Sequence, residues 1–88
     1  MFELKYSSLA KRQIKKYPDK NDIETSIKKL SKDPYTNAEK LKNKSLGSSH
    51  RIPILKKKYR VLYTIFKKVS QIVIDSIKPR NEGTYKKR

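Results

Sequence analysis

The 88-residue sequence contains no cysteine, two glycines and eight acidic residues. Without cysteine it cannot form a disulfide framework or a thiolate metal site, which fits a reducing, cytoplasmic environment. Two glycines are too few for a phosphate-binding glycine loop, and no metal-ligand spacing occurs. No stretch approaches the roughly 20 apolar residues that cross a bilayer, and the first residues lack the apolar run of a signal peptide. We expect one cytoplasmic domain over residues 1–88, with no membrane association, metal or cofactor.

Positive charge is what the sequence has in excess. Twenty-four lysines and arginines against eight acidic residues give a net charge of +16. Residues 1–39 carry nine basic and six acidic residues, net +3, whereas residues 40–88 carry fifteen and two, net +13. A lysine-rich surface can serve solubility alone. An imbalance this uneven nevertheless favours a nucleic acid or an acidic protein as the partner.

The first third of the chain predicts a strand and two helices. Apolar residues alternate with charged ones over residues 2–6, which is typical of a short strand. Ser7 or Ser8 can cap the helix that follows, and Pro18 ends it. A second helix is expected to run to about Lys32, because its apolar residues recur at spacings of four and three. Together the two helices would form an antiparallel hairpin.

Residues 38–41 are expected to form one helical turn, after which three short strands follow. The first, residues 51–55, contains Pro53, which cannot donate a ladder hydrogen bond and therefore belongs at an edge or a bulge. The next two cover residues 59–67 and 71–77. Strands joined by turns this short must be antiparallel.

Alternation in residues 59–67 separates the two faces of the sheet. Four apolar or aromatic residues would face the helices, namely Tyr59, Val61, Tyr63 and Ile65, while Arg60, Leu62, Thr64 and Phe66 would face away. The sequence therefore predicts an α+β fold of order β-α-α-β-β-β. A helical hairpin would cover one face of an antiparallel sheet, and the other face would be wet and cationic.

Three arginines form the first candidate site. Arg51, Arg60 and Arg80, with nearby lysines at 56–58, suit phosphate recognition, because the planar guanidinium pairs bidentately with phosphate oxygens. For any single arginine a solvated surface role is the commoner one. Arg60 is the strongest candidate, since an idle charge among apolar mid-sheet neighbours is unfavourable.

The carboxyl-terminal segment supplies a second candidate, with His50 and Asp75 as lesser ones. Tyr85 can fold back near Arg80 and stack on a base, or it can simply anchor the terminus. The sole histidine, His50, is a natural general acid or base, but alternation places it away from Arg51. A structural ion pair with a local arginine or lysine is expected for Asp75.

Two segments resemble the RelE/ParE toxin superfamily. They are Tyr-Arg-Val-Leu-Tyr at residues 59–63 and Ile-Lys-Pro-Arg at residues 77–80 followed by Tyr85, the latter most similar to archaeal RelE. The resemblance covers nearly the whole chain. It implies the RelE-like fold and a type II toxin–antitoxin function: a ribosome-dependent endoribonuclease that cuts mRNA, inhibits translation and is neutralised by a cognate antitoxin.

The resemblance also implies residue roles. Arg60 would contact the scissile phosphate, Arg80 would stabilise the transition state or protonate the leaving group, and Tyr85 would orient an mRNA base. Arg51 falls where the family has a strand lysine. Pro53 stands where a second lysine is expected, so the general base has no clear occupant; a lysine at 56–58, a re-aimed His50 or electrostatics alone would have to suffice. Further RNA contacts are expected from Lys56, Lys57, Lys58, Lys78, Lys86 and Lys87.

Two other functions remain open. A ParE-like inhibitor of DNA gyrase would share the fold without cutting RNA, and a non-catalytic RNA- or ribosome-binding module would follow from the charge alone. In either toxin function we expect an acidic, partly helical RelB-like antitoxin that folds on the basic surface as a hetero-oligomer. The nuclease would also need the ribosome with mRNA as a partner.

Overall fold

The computed structural model describes residues 1–41 and 48–79. In these ranges the chain forms strand β1, helices α1 and α2, and strands β2 to β5. Single 3-10 turns follow α2 and β4, at Lys29–Ser31 and Lys67–Val69. The bounds are Glu3–Tyr6 for β1, Ser8–Lys16 for α1, Lys20–Lys28 for α2, Glu39–Lys40 for β2, His50–Ile54 for β3, Tyr59–Phe66 for β4 and Gln71–Pro79 for β5.

The limits of α1 follow from its neighbouring residues. Ser7 caps the helix, since its hydroxyl oxygen accepts a hydrogen bond from the Ala10 amide at 3.0 Å. At the other end Pro18 disfavours helical geometry in the preceding residue, and Tyr17 is indeed extended at φ −86°, ψ 139°. The Tyr17 hydroxyl then donates to the Ile77 carbonyl oxygen at 2.9 Å, which fastens the end of the helix to β5.

The sheet has the order β1-β5-β4-β3-β2. The pairs β3–β4 and β4–β5 are antiparallel, as predicted, but β1 lies parallel to β5, with Leu4 opposite Ile72. The sheet is therefore mixed, which corrects the expectation of a wholly antiparallel one. The argument from short turns did not constrain β1, because the helical hairpin separates it from every other strand.

Residues 39–40 form a strand, where the sequence suggested a helical turn. Glu39 lies opposite Arg51 and Lys40 opposite His50, so this two-residue strand exists only through its pairing with β3. Beyond these two pairs β3 has no strand on its outer side in the described residues. Pro53 lies in that free stretch, as its missing amide proton requires.

The core lies between the helices and one face of the sheet. Apolar side chains from both layers are buried there: Ala10, Ile14, Ile23, Ile27, Leu30, Ile54, Tyr59, Val61, Tyr63, Ile72, Ile74 and Ile77. The predicted inward face of β4 is thereby confirmed. Leu62 is also buried, but it lies outside this cluster, on the opposite face.

A bulge interrupts the pairing of β4 with β5. Leu62 lies opposite Ser76 and Tyr63 opposite Ile74, so Asp75 has no counterpart. The extra residue changes which side chains of β5 share a face, because side chains alternate along a strand. Ile74 and Ile77 can therefore both be buried among the core residues although they are three positions apart.

In the described ranges no helix is long and apolar enough to cross a membrane.

Candidate nucleic-acid interface

The sheet face opposite the helices carries a row of basic residues. Pro53, Arg60 and Lys78 are direct cross-strand neighbours on β3, β4 and β5. Arg51 lies on the same face, one row along β3, opposite Leu62. Directly opposed residues in antiparallel strands project to the same side, so the register brings these cations together on the face opposite the helices.

A shallow cleft of about 190 Å³ opens at this row. Arg51 and Arg60 line it from neighbouring strands, and Lys57 reaches it from the β3–β4 turn. Glu39 and Pro53 complete the wall. Two cations from neighbouring strands and one from the turn between them thus converge on one small concavity, and among the described residues Glu39 is the one carboxylate that lines it.

That carboxylate is engaged by Arg51. The Arg51 Nε donates to Glu39 Oε1 at 3.1 Å, and Nη2 contacts the same oxygen. The pair follows directly from the opposition of Glu39 and Arg51 in the β2–β3 ladder. Arg51 is therefore partly neutralised, which sequence reasoning missed because a two-residue strand has no periodic signal.

Arg60, in contrast, has no hydrogen-bond or ion-pair partner among residues 1–41 and 48–79. Its side chain is half-buried between the free edge at Pro53 and Lys78. A guanidinium held in this position, with all five donors uncommitted, is suited to an anionic ligand. Of the described arginines in the cleft it is the one free to bind a phosphate.

The lysines at 56–58 do not act as a group. The turn that holds them has positive φ at Leu55, Lys56 and Lys57, of 51°, 55° and 70°. This left-handed stretch sends the three side chains in different directions. Lys57 lines the cleft, Lys56 is exposed, and Lys58 binds Asp19 on the helical side.

Asp19 ties the β3–β4 turn to the helical hairpin. Its Oδ2 accepts from Lys58 Nζ at 3.0 Å and from the Tyr59 hydroxyl at 2.9 Å. These bonds, that to Lys58 first and that to Tyr59 next, lower the pKa of the Asp19 carboxyl, while Asp19 raises that of Lys58. Lys58 therefore positions the turn and is not directed at the cleft.

His50 lies on the helix-facing side of the sheet, as alternation predicts. Its ring stacks on Tyr63 at 5.8 Å, and its Nδ1 lies 2.7 Å from the Ser49 hydroxyl oxygen. Burial lowers the pKa of His50, and the positive charges of Lys40 and Lys67 lower it further. The imidazole is therefore neutral at pH 7 and lies on the opposite face of the sheet from the cationic cleft.

Asp75 differs from expectation. Instead of an ion pair, its Oδ2 accepts hydrogen bonds from the Ser48 hydroxyl at 2.6 Å and the Thr64 hydroxyl at 2.8 Å. No salt bridge to Asp75 occurs in the described part of the chain. Asp75 is two residues from Val73, which lies opposite Thr64, so alternation places Asp75 on the same face as the Thr64 hydroxyl. Ser48 is 27 residues away in sequence, so sequence reasoning could not find it as a partner.

The remaining predicted residues divide into two groups. Lys78 is exposed at the end of β5, next to Arg60. Arg80, Tyr85, Lys86 and Lys87 lie outside the described residues. No cluster of three or more His, Cys, Asp or Glu side chains that could hold a metal occurs in residues 1–41 and 48–79. The interface is thus a cationic surface that can bind and polarise a phosphate.

Solved structures share this fold. The toxin–antitoxin complex RelBE2 of Mycobacterium tuberculosis contains a chain with a TM-score of 0.74 and 22% identity; the match covers 90% of this chain and 98% of that one. In the archaeal RelE–RelB complex from Pyrococcus horikoshii the values are 0.74 and 20%, covering 92% and 97%. For the isolated Escherichia coli RelE toxin they are 0.73 and 16%, covering 96% and 92%. At the level of sequence, no protein-family model and no curated protein matches.

Proposed function

We propose that this chain, which has the fold of RelE toxins, is the toxin of a type II toxin–antitoxin system and cuts mRNA on the ribosome. The observation that carries the proposal is Arg60, an arginine of the cationic cleft that has no partner among residues 1–41 and 48–79. The fold supports it, since two of its structural neighbours are components of toxin–antitoxin complexes. The activity would inhibit translation in the cytoplasm.

The chemistry suits a site rich in cations. The ribose 2′-hydroxyl oxygen attacks the adjacent phosphorus, the bond to the 5′-oxygen breaks, and a 2′,3′-cyclic phosphate and a 5′-hydroxyl group result. Negative charge develops on the non-bridging phosphate oxygens during attack. Fixed donors at that position stabilise the transition state, and loss of one typically slows the reaction about 100- to 1,000-fold. Arg60 would be this donor, with Arg51 and Lys57 holding neighbouring phosphates.

Two further residues complete the proposed site. Arg80 would stabilise the transition state or protonate the leaving 5′-oxygen, and Tyr85 would stack on an mRNA base. Lys56, Lys78, Lys86 and Lys87 would hold the RNA backbone. Because Pro53 occupies the position of an expected lysine, the site relies on electrostatics and on substrate orientation. The ribosome would supply that orientation, which accounts for its role as an obligatory partner.

An acidic antitoxin is the second partner that this function requires. The net charge of +13 over residues 40–88 and the row of cations on the sheet face opposite the helices favour a chain rich in Asp and Glu. Such a chain would order on binding and cover the toxin in a hetero-oligomer. A short acidic protein encoded in the adjacent reading frame is the expected form.

Primer extension on mRNA from cells that express the protein tests the proposal. We expect cuts confined to translated frames, and we expect Arg80→Ala to abolish both cutting and toxicity while the circular dichroism spectrum stays unchanged. Plasmid supercoiling defects without cuts would instead identify a gyrase inhibitor. Ribosome binding with no cut product would identify a non-catalytic binding module.

A further inference from the structure

A second concave surface lies at the opposite end of β4 from the cationic cleft. We call it the Tyr35 groove; it has a volume of about 710 Å³. It lies between Tyr35, the start of β3 and the 3-10 turn after β4. Arg60 and Phe66 are six residues apart on one strand, so the Phe66 end of the groove is about 20 Å from Arg60. Its lining residues are Tyr35, Lys40, Ser49, His50, Ile65, Phe66, Lys67, Lys68 and Val69.

Exposed apolar side chains gather in this groove. In the described residues five large apolar side chains are exposed, and three of them line it: Tyr35 at 44%, Phe66 at 47% and Val69 at 63%. The other two, Met1 and Leu9, lie elsewhere. Isolated exposed apolar residues are ordinary, whereas a contiguous apolar patch rimmed by polar groups usually marks an interaction surface.

The rim of the groove has one sign of charge. Lys40, Lys67 and Lys68 line it, and within the described part of the chain no Asp or Glu does. The floor is uncharged at neutral pH, because burial lowers the pKa of His50. An apolar floor within a basic rim is complementary to a segment that presents apolar side chains flanked by carboxylates.

Nucleic acid fits this surface less well than a peptide. The ammonium group of Lys67 lies 5.7 Å from the centre of the Tyr35 ring, so that ring is already engaged in a cation–π contact. Ile65 and Val69 are aliphatic and offer no flat surface on which a base stacks. Apolar peptide side chains fill such a floor without these restrictions.

We propose that the Tyr35 groove anchors an amphipathic, acidic segment of the antitoxin, through residues that do not line the RNA-cleaving cleft. The identity of the partner rests on the proposed function. On this proposal the toxin surface that determines antitoxin affinity differs from the surface that cuts RNA. The net charge of the chain does not by itself imply this difference. Substitutions in the groove should therefore yield a toxin that still cuts mRNA and escapes neutralisation.

The test uses the acidic protein from the adjacent reading frame as the probe, with its dissociation constant measured by titration calorimetry. We expect the double variant Phe66→Ser/Val69→Ser to bind it about 10- to 100-fold more weakly, because the apolar area of two side chains no longer contributes. Leu9→Ser is the matched control, since Leu9 is 45% exposed on α1 outside the groove. Ribosome-dependent cutting should equal that of the wild type in both variants.

A charge variant covers the case in which Phe66→Ser/Val69→Ser fails to fold. Lys67→Glu/Lys68→Glu leaves the apolar floor intact and should weaken the same complex at low salt more than at high salt. Lys5→Glu/Lys32→Glu is its control, since both lysines are exposed and lie outside the groove.

The other possible results of these measurements either overturn the docking inference or separate it from the proposed nuclease function. Unchanged antitoxin affinity in the groove variants overturns the inference, and so does the absence of an acidic protein in the adjacent frame, while normal mRNA cutting keeps the proposed function. Loss of binding to a 12-nucleotide polyuridine RNA, with antitoxin affinity retained, would identify the groove as an RNA site instead. If the wild type cuts no mRNA yet the groove variants lose the antitoxin, the docking surface stands and the nuclease function does not.

Discussion

Tyr63→Phe removes one hydroxyl group from the centre of the core and tests how the sheet is fastened to the end of the helical hairpin. Tyr63 is fully buried, and its hydroxyl donates to the Pro34 carbonyl oxygen at 2.7 Å. Burial raises the pKa of Tyr63 far above its ordinary value of 10.0, and the charge of Asp33 adds to the effect. The hydroxyl is therefore a protonated donor throughout the neutral range.

The expected loss of stability has two parts. The hydrogen bond itself contributes a net stabilisation of about 1 kcal/mol, and a buried carbonyl left without a donor adds a penalty of about 1–3 kcal/mol. Relaxation and entry of water offset part of that penalty, so we expect the free energy of unfolding to fall by about 2 kcal/mol. For a domain of this length the melting temperature should fall by about 8–16 °C.

Urea unfolding followed by circular dichroism measures this loss, with Tyr6→Phe as the control. Tyr6 packs against the same core, and in the described residues its hydroxyl has no hydrogen-bond partner. The control should therefore change the free energy of unfolding by less than about 0.5 kcal/mol. Equal stabilities for the two variants would show that the Tyr63–Pro34 bond contributes nothing and would refute the reasoning.

Three further predictions concern Glu39 in the cleft, the partly buried His50 and the β3–β4 turn. Glu39→Gln frees Arg51 from its carboxylate, so RNA affinity in a filter-binding titration should rise and its salt dependence should steepen; weaker binding would exclude Glu39 as a competing counter-ion. Because the folded pKa of His50 lies below its ordinary 6.5, protonation favours the unfolded chain. The His50 contribution is therefore present above pH 6.5 and is lost as the pH falls below it. In His50→Gln the free energy of unfolding should fall less between pH 7 and pH 5 than in the wild type. An equal fall in the two proteins would mean that groups other than His50 cause it. Lys56 has a φ of 55°, so Lys56→Gly should raise the free energy of unfolding by roughly 0.5–1 kcal/mol, whereas Lys32→Gly, at a φ of −92°, should lower it.

The regular parts of this fold could be predicted because local signals determine them. Ser7 and Pro18 bound the first helix through capping and steric exclusion, which act within a few residues. Alternation in β4 placed Tyr59 and Tyr63 in the core, since one face of that strand is buried against the helices. The second helix was predicted to run to about Lys32. Its α-helical part ends at Lys28, and a 3-10 turn, Lys29–Ser31, follows. Propensity does not distinguish the last turn of a helix from a 3-10 turn.

The features that sequence reasoning missed depend on contacts between distant residues. The strand Glu39–Lys40 forms only against β3, and the parallel pairing of β1 depends on where the helical hairpin returns the chain. Asp75 accepts hydrogen bonds from two hydroxyl groups instead of forming the expected ion pair, and one of them, that of Ser48, is 27 residues away in sequence. Likewise, the sequence does not distinguish the three consecutive lysines at 56–58. In the structure the left-handed turn directs Lys57 to the cleft and Lys58 to Asp19.

The candidate site was predictable in character but not in detail. The excess of basic residues after residue 39 and the parity of β4 were enough to place Arg60 among cations on the sheet face opposite the helices, although Leu62 on that face is buried and not wet as predicted. Neither pattern indicated that Arg51 is paired with Glu39 while Arg60 has no partner in the described residues. That difference arises from strand register, and it makes Arg60 the arginine on which the proposed chemistry depends.

The most direct test is the single-turnover rate of mRNA cleavage on programmed ribosomes by the wild type and by Arg60→Ala. Arg12→Ala is the matched control, since Arg12 is exposed on α1 and far in sequence from the cleft. We predict a cleavage rate about 100- to 1,000-fold lower for Arg60→Ala, with the control at the wild-type rate and both variants folded. Cleavage by Arg60→Ala at the rate of Arg12→Ala would contradict the assignment of this cleft as the catalytic site.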